Sequence, residues 1–173
     1  GTTSGAVLQS ANGGGDWATV HPGGAFTLPW SRLIVAPWGT GDVYGVGSGF
    51  PDAYASMFVR KRATDPDFVP GPPAFDVVAR AGHPGELLLV GPGGAARSTD
   101  AGVTWTPAGG LPAMAPGCCS ALIVASPSDD ARLYVVVRVA ATPSDEGQIY
   151  RSDDGGATWV AVARLPAFPG IGR

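Results

Sequence analysis

An octet that occurs twice almost unchanged constrains the fold more than any other feature of the chain. Ser98-Thr99-Asp100-Ala101-Gly102-Val103-Thr104-Trp105 and Ser152-Asp153-Asp154-Gly155-Gly156-Ala157-Thr158-Trp159 share the pattern S-x-D-x-G-x-T-W, and an arginine, Arg97 or Arg151, precedes each. An earlier octet in the chain, Ser10-Ala11-Asn12-Gly13-Gly14-Gly15-Asp16-Trp17, keeps the serine, glycine and tryptophan but carries Asn12 for Asp and Asp16 for Thr. Both exchanges retain a short side chain with an oxygen acceptor. Each residue type has a mechanical use in a turn. Serine and aspartate oxygens accept from backbone N–H groups a few residues on and close the chain locally. Glycine supplies a positive φ at low cost, and the closing tryptophan offers a large apolar plate to a neighbouring layer. Residues 148–151 and 159–164 on either side of the last octet read as strands, so the octet predicts a hairpin connection.

These octets resemble the Asp-box, also called the bacterial neuraminidase repeat, of the sialidase/sortilin-like β-propeller superfamily. The resemblance implies an all-β chain of four-stranded antiparallel blades, with the box joining the third and fourth strands of a blade. It also implies that the box residues are structural and peripheral, away from the central binding face. The positions concerned are Ser10, Asn12, Gly14 and Trp17; Ser98, Asp100, Gly102, Thr104 and Trp105; and Ser152, Asp154, Gly156, Thr158 and Trp159.

Apolar runs between the octets then divide into blades over about residues 31–70, 75–108 and 120–165 of a single propeller segment spanning 1–173, with half a blade over about 1–20. In the half blade, 6–9 and 17–20 stand as third and fourth strands. The 31–70 unit has strands at 31–36, 42–46 and 53–59, and its box, expected at 61–68, is nearly erased: Phe68 takes the tryptophan position, with Asp65 and Asp67 nearby. Strands at 75–80, 86–90 and 95–98, and at 120–125, 132–139 and 147–151, complete the set. The anchors Trp17, Phe68, Trp105 and Trp159 are 51, 37 and 54 residues apart, in keeping with blades of about 40–50 residues and variable loops. An open arc of this kind would leave large apolar faces wet. The remaining strands are therefore expected from further chain, a second fragment or another subunit; a closed four-bladed ring with one reduced blade is the alternative.

Composition agrees with a turn-rich β protein. The 27 glycines and 17 prolines are balanced by 45% apolar residues and a mean hydropathy of +0.14, enough to build a core, and 173 residues suit one domain. The net charge is −3, Lys61 is the sole lysine, and the arginines are scattered except in Arg60-Lys61-Arg62, which argues against a duplex nucleic-acid partner. No apolar run approaches the ~20 residues of a membrane span. The sequence opens at Gly1 without methionine or a charged and apolar leader, so a processed product or a piece of a longer polypeptide is expected, exported or surface-attached in a bacterium. Cys118 and Cys119 are adjacent, with neither a CxxC pair nor a nearby histidine to make a metal set. Free buried thiols, bonds to other chain, or a vicinal disulfide remain open. The last needs a special backbone, because neighbouring Cα atoms lie about 3.8 Å apart against the usual disulfide range of about 4.4–6.8 Å.

Asp100 and Asp154 read as turn formers, not as acid–base groups. Glycoside hydrolysis, which the resemblance to sialidases and some glucanases raises, needs two carboxyl groups about 5–9.5 Å apart, one with a raised pKa. Glu86 and Glu146 are the two glutamates; Asp145 and Glu146 lie between the second and third strands of the last blade, and Asp52 in the equivalent loop two blades earlier. Those three form the candidate catalytic set. A sialidase further requires an arginine cluster, with which neither Arg80 nor Arg138 aligns, and Arg164-Leu165-Pro166 follows the final strand. His21 and His83 read as exposed loop histidines, Arg60-Lys61-Arg62 as a solvated strand end, and Asp129-Asp130 and Asp153-Asp154 as too poor in oxygens for Ca²⁺. Trp30, Trp38, Phe50 and Tyr54 read as filling between blades, or as a stacking surface for a sugar or protein. The sequence thus predicts a non-catalytic propeller scaffold or binding module with a protein or glycan partner, without metal or cofactor. A fragment of a propeller glycoside hydrolase is the alternative, and an assembly factor the third reading.

Overall fold

In a computed structural model, residues 6–22, 30–48, 56–114, 119–139 and 147–165 are described. They form strands and turns only. β1 (Val7–Gln9) and β2 (Ala18–His21) make a two-stranded sheet. A second sheet holds β3 (Trp30–Val35), β4 (Val43–Ser48), β5 (Ser56–Lys61) and β6 (Val69–Pro73). The third holds β7 (Asp76–Ala79), β8 (Leu87–Gly91), β9 (Gly94–Ser98) and β10 (Thr106–Ala108); the fourth holds β11 (Cys119–Ala125), β12 (Leu133–Val139), β13 (Gly147–Ser152) and β14 (Val160–Leu165). Every pairing is antiparallel and joins consecutive strands. Meanders of four strands stacked face to face in chain order are the blades of a β-propeller.

Local sequence explains where each strand sits. The second strand of a sheet is flanked on both edges, and where a sheet lies on each of its faces it must be apolar throughout. All five residues of β8 are buried, and Tyr44, Val46, Leu133, Val135 and Val137 are buried in β4 and β12. The fourth strand is an edge, where proline is tolerated because its missing N–H leaves no ladder bond unmade. Accordingly β6 contains Pro70, Pro72 and Pro73, and β10 contains Pro107.

The core is divided among the sheet-to-sheet contacts. Val7 and Val20 meet Val59 and Phe68; Tyr44, Val46 and Phe58 meet Val77, Leu87 and Leu89; Leu88, Val90 and Ala95 meet Ala121, Ile123, Leu133 and Val135. These contacts have a direction. Trp105 packs edge-on to Phe58 of the preceding sheet at 5.0 Å, Trp159 is buried among Leu88 and Val90 of the sheet before its own, and Phe68 packs against Val7 of the first sheet. Trp17 departs from the expected anchoring: it is 62% exposed. The reason follows from the direction, since among the described residues no sheet stands before β1 and β2 to receive it.

Candidate functional site

The octets fold as self-contained turns. In the second, Ser98 Oγ donates to Asp100 Oδ1 at 2.8 Å and accepts from Gly102 N at 2.9 Å. Asp100 then accepts from Thr104 N at 2.9 Å and from Thr104 Oγ1 at 2.6 Å. The third repeats the pattern: Ser152 Oγ donates to Asp154 Oδ1 at 2.7 Å, Gly156 N donates to Ser152 Oγ at 2.8 Å, and Thr158 N and Oγ1 donate to Asp154 at 2.9 and 2.5 Å. These donors hold the carboxyls of Asp100 and Asp154 at about 2, the threonine hydroxyl first and its backbone N–H next. In the first octet the polarity of the closing bond is reversed. Asn12 Nδ2 donates to Asp16 Oδ2 at 2.8 Å, while Asp16 N still donates to Asn12 Oδ1 at 2.8 Å. The amide brings the proton that threonine supplies elsewhere.

Gly102 and Gly156 are required twice over. Their φ angles are 81° and 87°, in the region that L-residues with a Cβ reach only at a cost. A Cβ on Gly156 would stand 1.8 Å from Leu88 Cδ2, and one on Gly102 2.8 Å from Phe58 Cζ. The glycine lets the turn lie directly on the preceding sheet.

Where the box is erased, charge closes the turn. Arg62 N donates to Asp65 Oδ2 at 3.0 Å, Arg60 Nη1 donates to the same oxygen at 3.0 Å, and Lys61 Nζ donates to Asp65 O at 2.7 Å. The Arg62 N–H foremost, with the Arg62 and Arg60 guanidinium groups, lowers the Asp65 carboxyl. The basic triplet is therefore folded over Asp65 instead of standing free in solvent, and the Arg60 side chain is 13% exposed.

Cross-sheet polar ties are the residues that sequence reasoning missed. Glu86 is buried between Arg80, which bonds its Oε1, and Arg97, whose Nη2 donates to Oε2 at 2.7 Å. Burial raises the Glu86 carboxyl, but the two guanidinium groups outweigh it and the net shift is downward. Arg80 also reaches the fourth sheet, donating through Nε and Nη2 to Asp130 O at 3.1 and 2.6 Å. His83 Nε2 lies 2.6 Å from Asp130 Oδ2, so this histidine is engaged between sheets. His21 is buried at the end of β2, where its Nδ1 lies 2.6 Å from Asp67 Oδ1 and its ring meets Phe68 edge-on at 5.2 Å. Both were expected in exposed loops: His21 is instead buried in β2, whereas His83 does lie in the turn between β7 and β8, its side chain 43% exposed, and there meets Asp130 of the next sheet. Asp76, also buried, accepts from Ile123 N at 3.0 Å and lies 3.5 Å from Arg32 Nε, linking the first strands of three sheets. No local motif marks such residues, because their partners are remote in sequence.

The candidate catalytic residues Asp52, Asp145 and Glu146 lie outside the described residues, as does Cys118; Cys119 opens β11 opposite Val139. Phe50 and Tyr54 also lie outside them. Trp30 begins β3, its ring 5.2 Å from Phe68, and Trp38 lies 6.2 Å from Tyr44, so both fill contacts within or between sheets. Among the described residues no group of three or more His, Cys, Asp or Glu is arranged to hold a metal ion, and no helix is long and apolar enough to cross a membrane.

No family model matches the chain, and no curated protein matches it in sequence. Among solved structures it is similar to a GH74 enzyme from Niastella koreensis, with 15% identity and a TM-score of 0.56 over 80% of this chain and 23% of that one. It is similar also to the GH74 xyloglucanase from Xanthomonas campestris, with 19% identity and a TM-score of 0.58 over 79% of this chain and 24% of that one. At these identities the likeness is one of fold: an all-β propeller segment of four-stranded antiparallel sheets. The chain spans about a quarter of the length of these structures.

Proposed function

We propose that the chain is a non-catalytic segment of a β-propeller, exported or cell-surface in location, that serves as a binding scaffold for a protein or glycan. The observation that carries this reading is the state of five carboxylates among the described residues. Asp65, Asp67, Glu86, Asp100 and Asp154 all have lowered pKa values and accept bonds from turn N–H, hydroxyl, histidine or guanidinium groups. A glycosidic general acid needs the opposite, a carboxyl raised by an apolar setting so that it holds a proton at working pH. These five carboxylates are committed to fixing turns and joining sheets. The octets accordingly act as structural boxes, with the half blade over about 1–20 and blades over about 31–70, 75–108 and 120–165 as the units of the scaffold.

The hydrolase reading is favoured by one observation, the fold shared with two GH74 enzymes, one of them a xyloglucanase. On that reading Glu146, with Asp145 or Asp52, supplies the chemistry, and the rest of the substrate cleft comes from other chain. A glycan panel that includes xyloglucan separates the two. The scaffold predicts retention on an immobilised ligand without turnover, and the same retention by Glu146→Gln. Turnover that disappears in Glu146→Gln would replace the scaffold with the hydrolase.

A further inference from the structure

Asn12 is the chain's one asparagine, and a glycine follows it. In the other two octets the corresponding residue is an aspartate, Asp100 or Asp154, whose partner is a threonine. The Asn12 amide is held on both of its polar atoms. Its Oδ1 accepts from Asp16 N at 2.8 Å and from Ser10 Oγ at 3.0 Å, while Nδ2 donates to Asp16 Oδ2 at 2.8 Å. The amide lies across the turn against Gly15, where a Cβ would stand 3.1 Å from Nδ2 and 3.3 Å from Cγ. Gly13 has open surroundings: a Cβ there would meet nothing within 4 Å. Asn12, Gly13 and Asp16 are all exposed. That exposure of Asn12 belongs to the turn itself, since Asp100 and Asp154 are exposed although a sheet precedes theirs.

We propose that Asn12 is a deamidation site and that Asp16 is the latch that sets its rate. An asparagine followed by glycine can close on the main chain, because no Cβ crowds the next amide nitrogen. Gly13 N loses its proton to solvent and attacks Asn12 Cγ. The N–Cγ bond forms, the Cγ–Nδ2 bond breaks, and Nδ2 leaves as ammonia with a proton returned by solvent. Water then opens the five-membered imide, its hydroxyl going to Cγ or to the main-chain carbonyl carbon of residue 12 and its proton to Gly13 N. The chain continues through the main-chain carbonyl in the first case, giving aspartate, and through Cγ in the second, giving isoaspartate. One water is consumed, one ammonia is released and nothing is oxidised. Ring closure needs the amide plane turned toward Gly13 N, and the three bonds from Ser10 and Asp16 fix that plane. The folded turn therefore holds the reaction back until it opens locally. The product is a different turn. An ionised carboxylate accepts only, so the new one faces that of Asp16 across the former 2.8 Å contact, and attraction becomes repulsion. Deamidation restores the aspartate of the other octets without their threonine. The Trp17 indole, which donates to Gly14 O at 3.1 Å, loses the turn that holds it. The inference goes beyond the scaffold reading and holds whether or not the chain hydrolyses a glycan.

The test incubates the folded chain at neutral pH and follows conversion in its tryptic peptide of residues 1–32, by mass for the exchange of amide for acid and by chromatography for the two isomers. A capped peptide of residues 11–14 lacks both Ser10 and Asp16 and gives the unlatched rate. Expected are conversion at least about tenfold slower in the folded chain than in the peptide, and at least about fivefold faster in Asp16→Ala than in the unaltered chain. Amide exchange protection in β8 and β12 establishes that Asp16→Ala is folded; should it not be, Ser10→Ala, which removes the other side-chain bond to Oδ1, undergoes the same comparison. Conversion is also expected to shift the Trp17 indole resonance in the unaltered chain and to leave it in place in Asp16→Thr, where the product has the aspartate and threonine of the other octets. Equal rates in the folded chain and the peptide overturn the proposal. So does a folded latch variant that converts no faster than the unaltered chain, or an indole resonance that conversion does not move.

Discussion

Replacing each octet tryptophan by alanine is expected to yield three different losses of stability from one position of one repeat. An aromatic side chain that buries about 150–250 Å² at about 25 cal/mol per Å² gains about 4–6 kcal/mol, an upper figure because unfolded chains already hide part of that surface. Measured Trp→Ala costs in cores run about 3–5 kcal/mol. Trp159 is 4% exposed and has contacts with two sheets. Its Nε1 is buried without a hydrogen-bond partner, a penalty that the truncation relieves. Trp159→Ala is therefore placed at the low end, about 3 kcal/mol. Trp17 is 62% exposed, so only the remaining surface contributes and Trp17→Ala is expected to cost about 1 kcal/mol. Trp105, half-buried and edge-on to Phe58, falls between them.

Urea unfolding followed by circular dichroism measures these differences, provided the slopes with denaturant agree among the variants. The ordering Trp17, Trp105, Trp159 is the decisive result, because it tests the direction of packing and not merely the value of an indole. Equal losses at all three sites would refute the reasoning. They would mean that the turn alone sets the worth of its tryptophan, and that the preceding sheet adds nothing.

Acid provides a second test. The carboxyls of Asp100 and Asp154 fall from 3.8 in the unfolded reference to about 2. Their contribution is therefore complete above about pH 4 and drains as pH falls toward 2. Asp154→Asn should cost about 1 kcal/mol or less at pH 7, where exposure screens the loss, and the deficit should shrink toward pH 2 in thermal melts; an unchanged deficit contradicts the assignment. Gly156→Ala meets both a positive φ and Leu88, so a cost above about 2 kcal/mol is expected. Gly14→Ala has a φ of 97° but only the Trp17 ring nearby, at 3.8 Å, and should cost about 1–2 kcal/mol; equal costs would deny the close approach at Gly156. Asn12→Asp places two carboxylates face to face at the 2.8 Å contact with Asp16, and Asp16→Thr should rescue it. A double-mutant cycle with coupling near zero, instead of about 1 kcal/mol, would show that the reversed bond does not matter.

What the sequence discloses here follows the reach of its interactions. The octet bonds span two to four residues, Ser98 to Asp100 and Asp100 to Thr104 among them, so the turn is written where it forms and its type could be read directly. Strands followed, because each apolar run lies next to a marked turn. Buried cross-sheet ties were hidden for the converse reason: Asp76 bonds a backbone group 47 residues away, and Arg80 one 50 residues away. A histidine between glycine-rich segments looks exposed until the sheet it touches is known. His21 looked like a loop residue because its partner, Asp67, belongs to a turn 46 residues on, in a box too eroded to recognise.

The direction of packing joins these observations. An octet supplies its own hydrogen bonds but borrows its burial from the sheet before it: Trp159 from Leu88 and Val90, Trp105 from Phe58. A repeated turn therefore has a hydrogen-bonded backbone and a conditional anchor, and Trp17 is the case in which the condition is unmet. The exposure of Trp17 has one cause, the lack of a described sheet before the first one to cover the ring. Leu122 and Val124 on β11 and Val160 on β14, each more than half exposed, show the complementary situation at the other end of the stack. Leu122 and Val124 lie on the face of β11 opposite to the buried Ala121 and Ile123, whereas β14 is exposed along nearly its whole length. Sheets of this kind add cooperatively to whatever neighbour offers the matching face, because each new contact buries an anchor that its own turn has already oriented. Binding at either end should therefore stiffen the terminal sheet without refolding it, which is the behaviour expected of a scaffold.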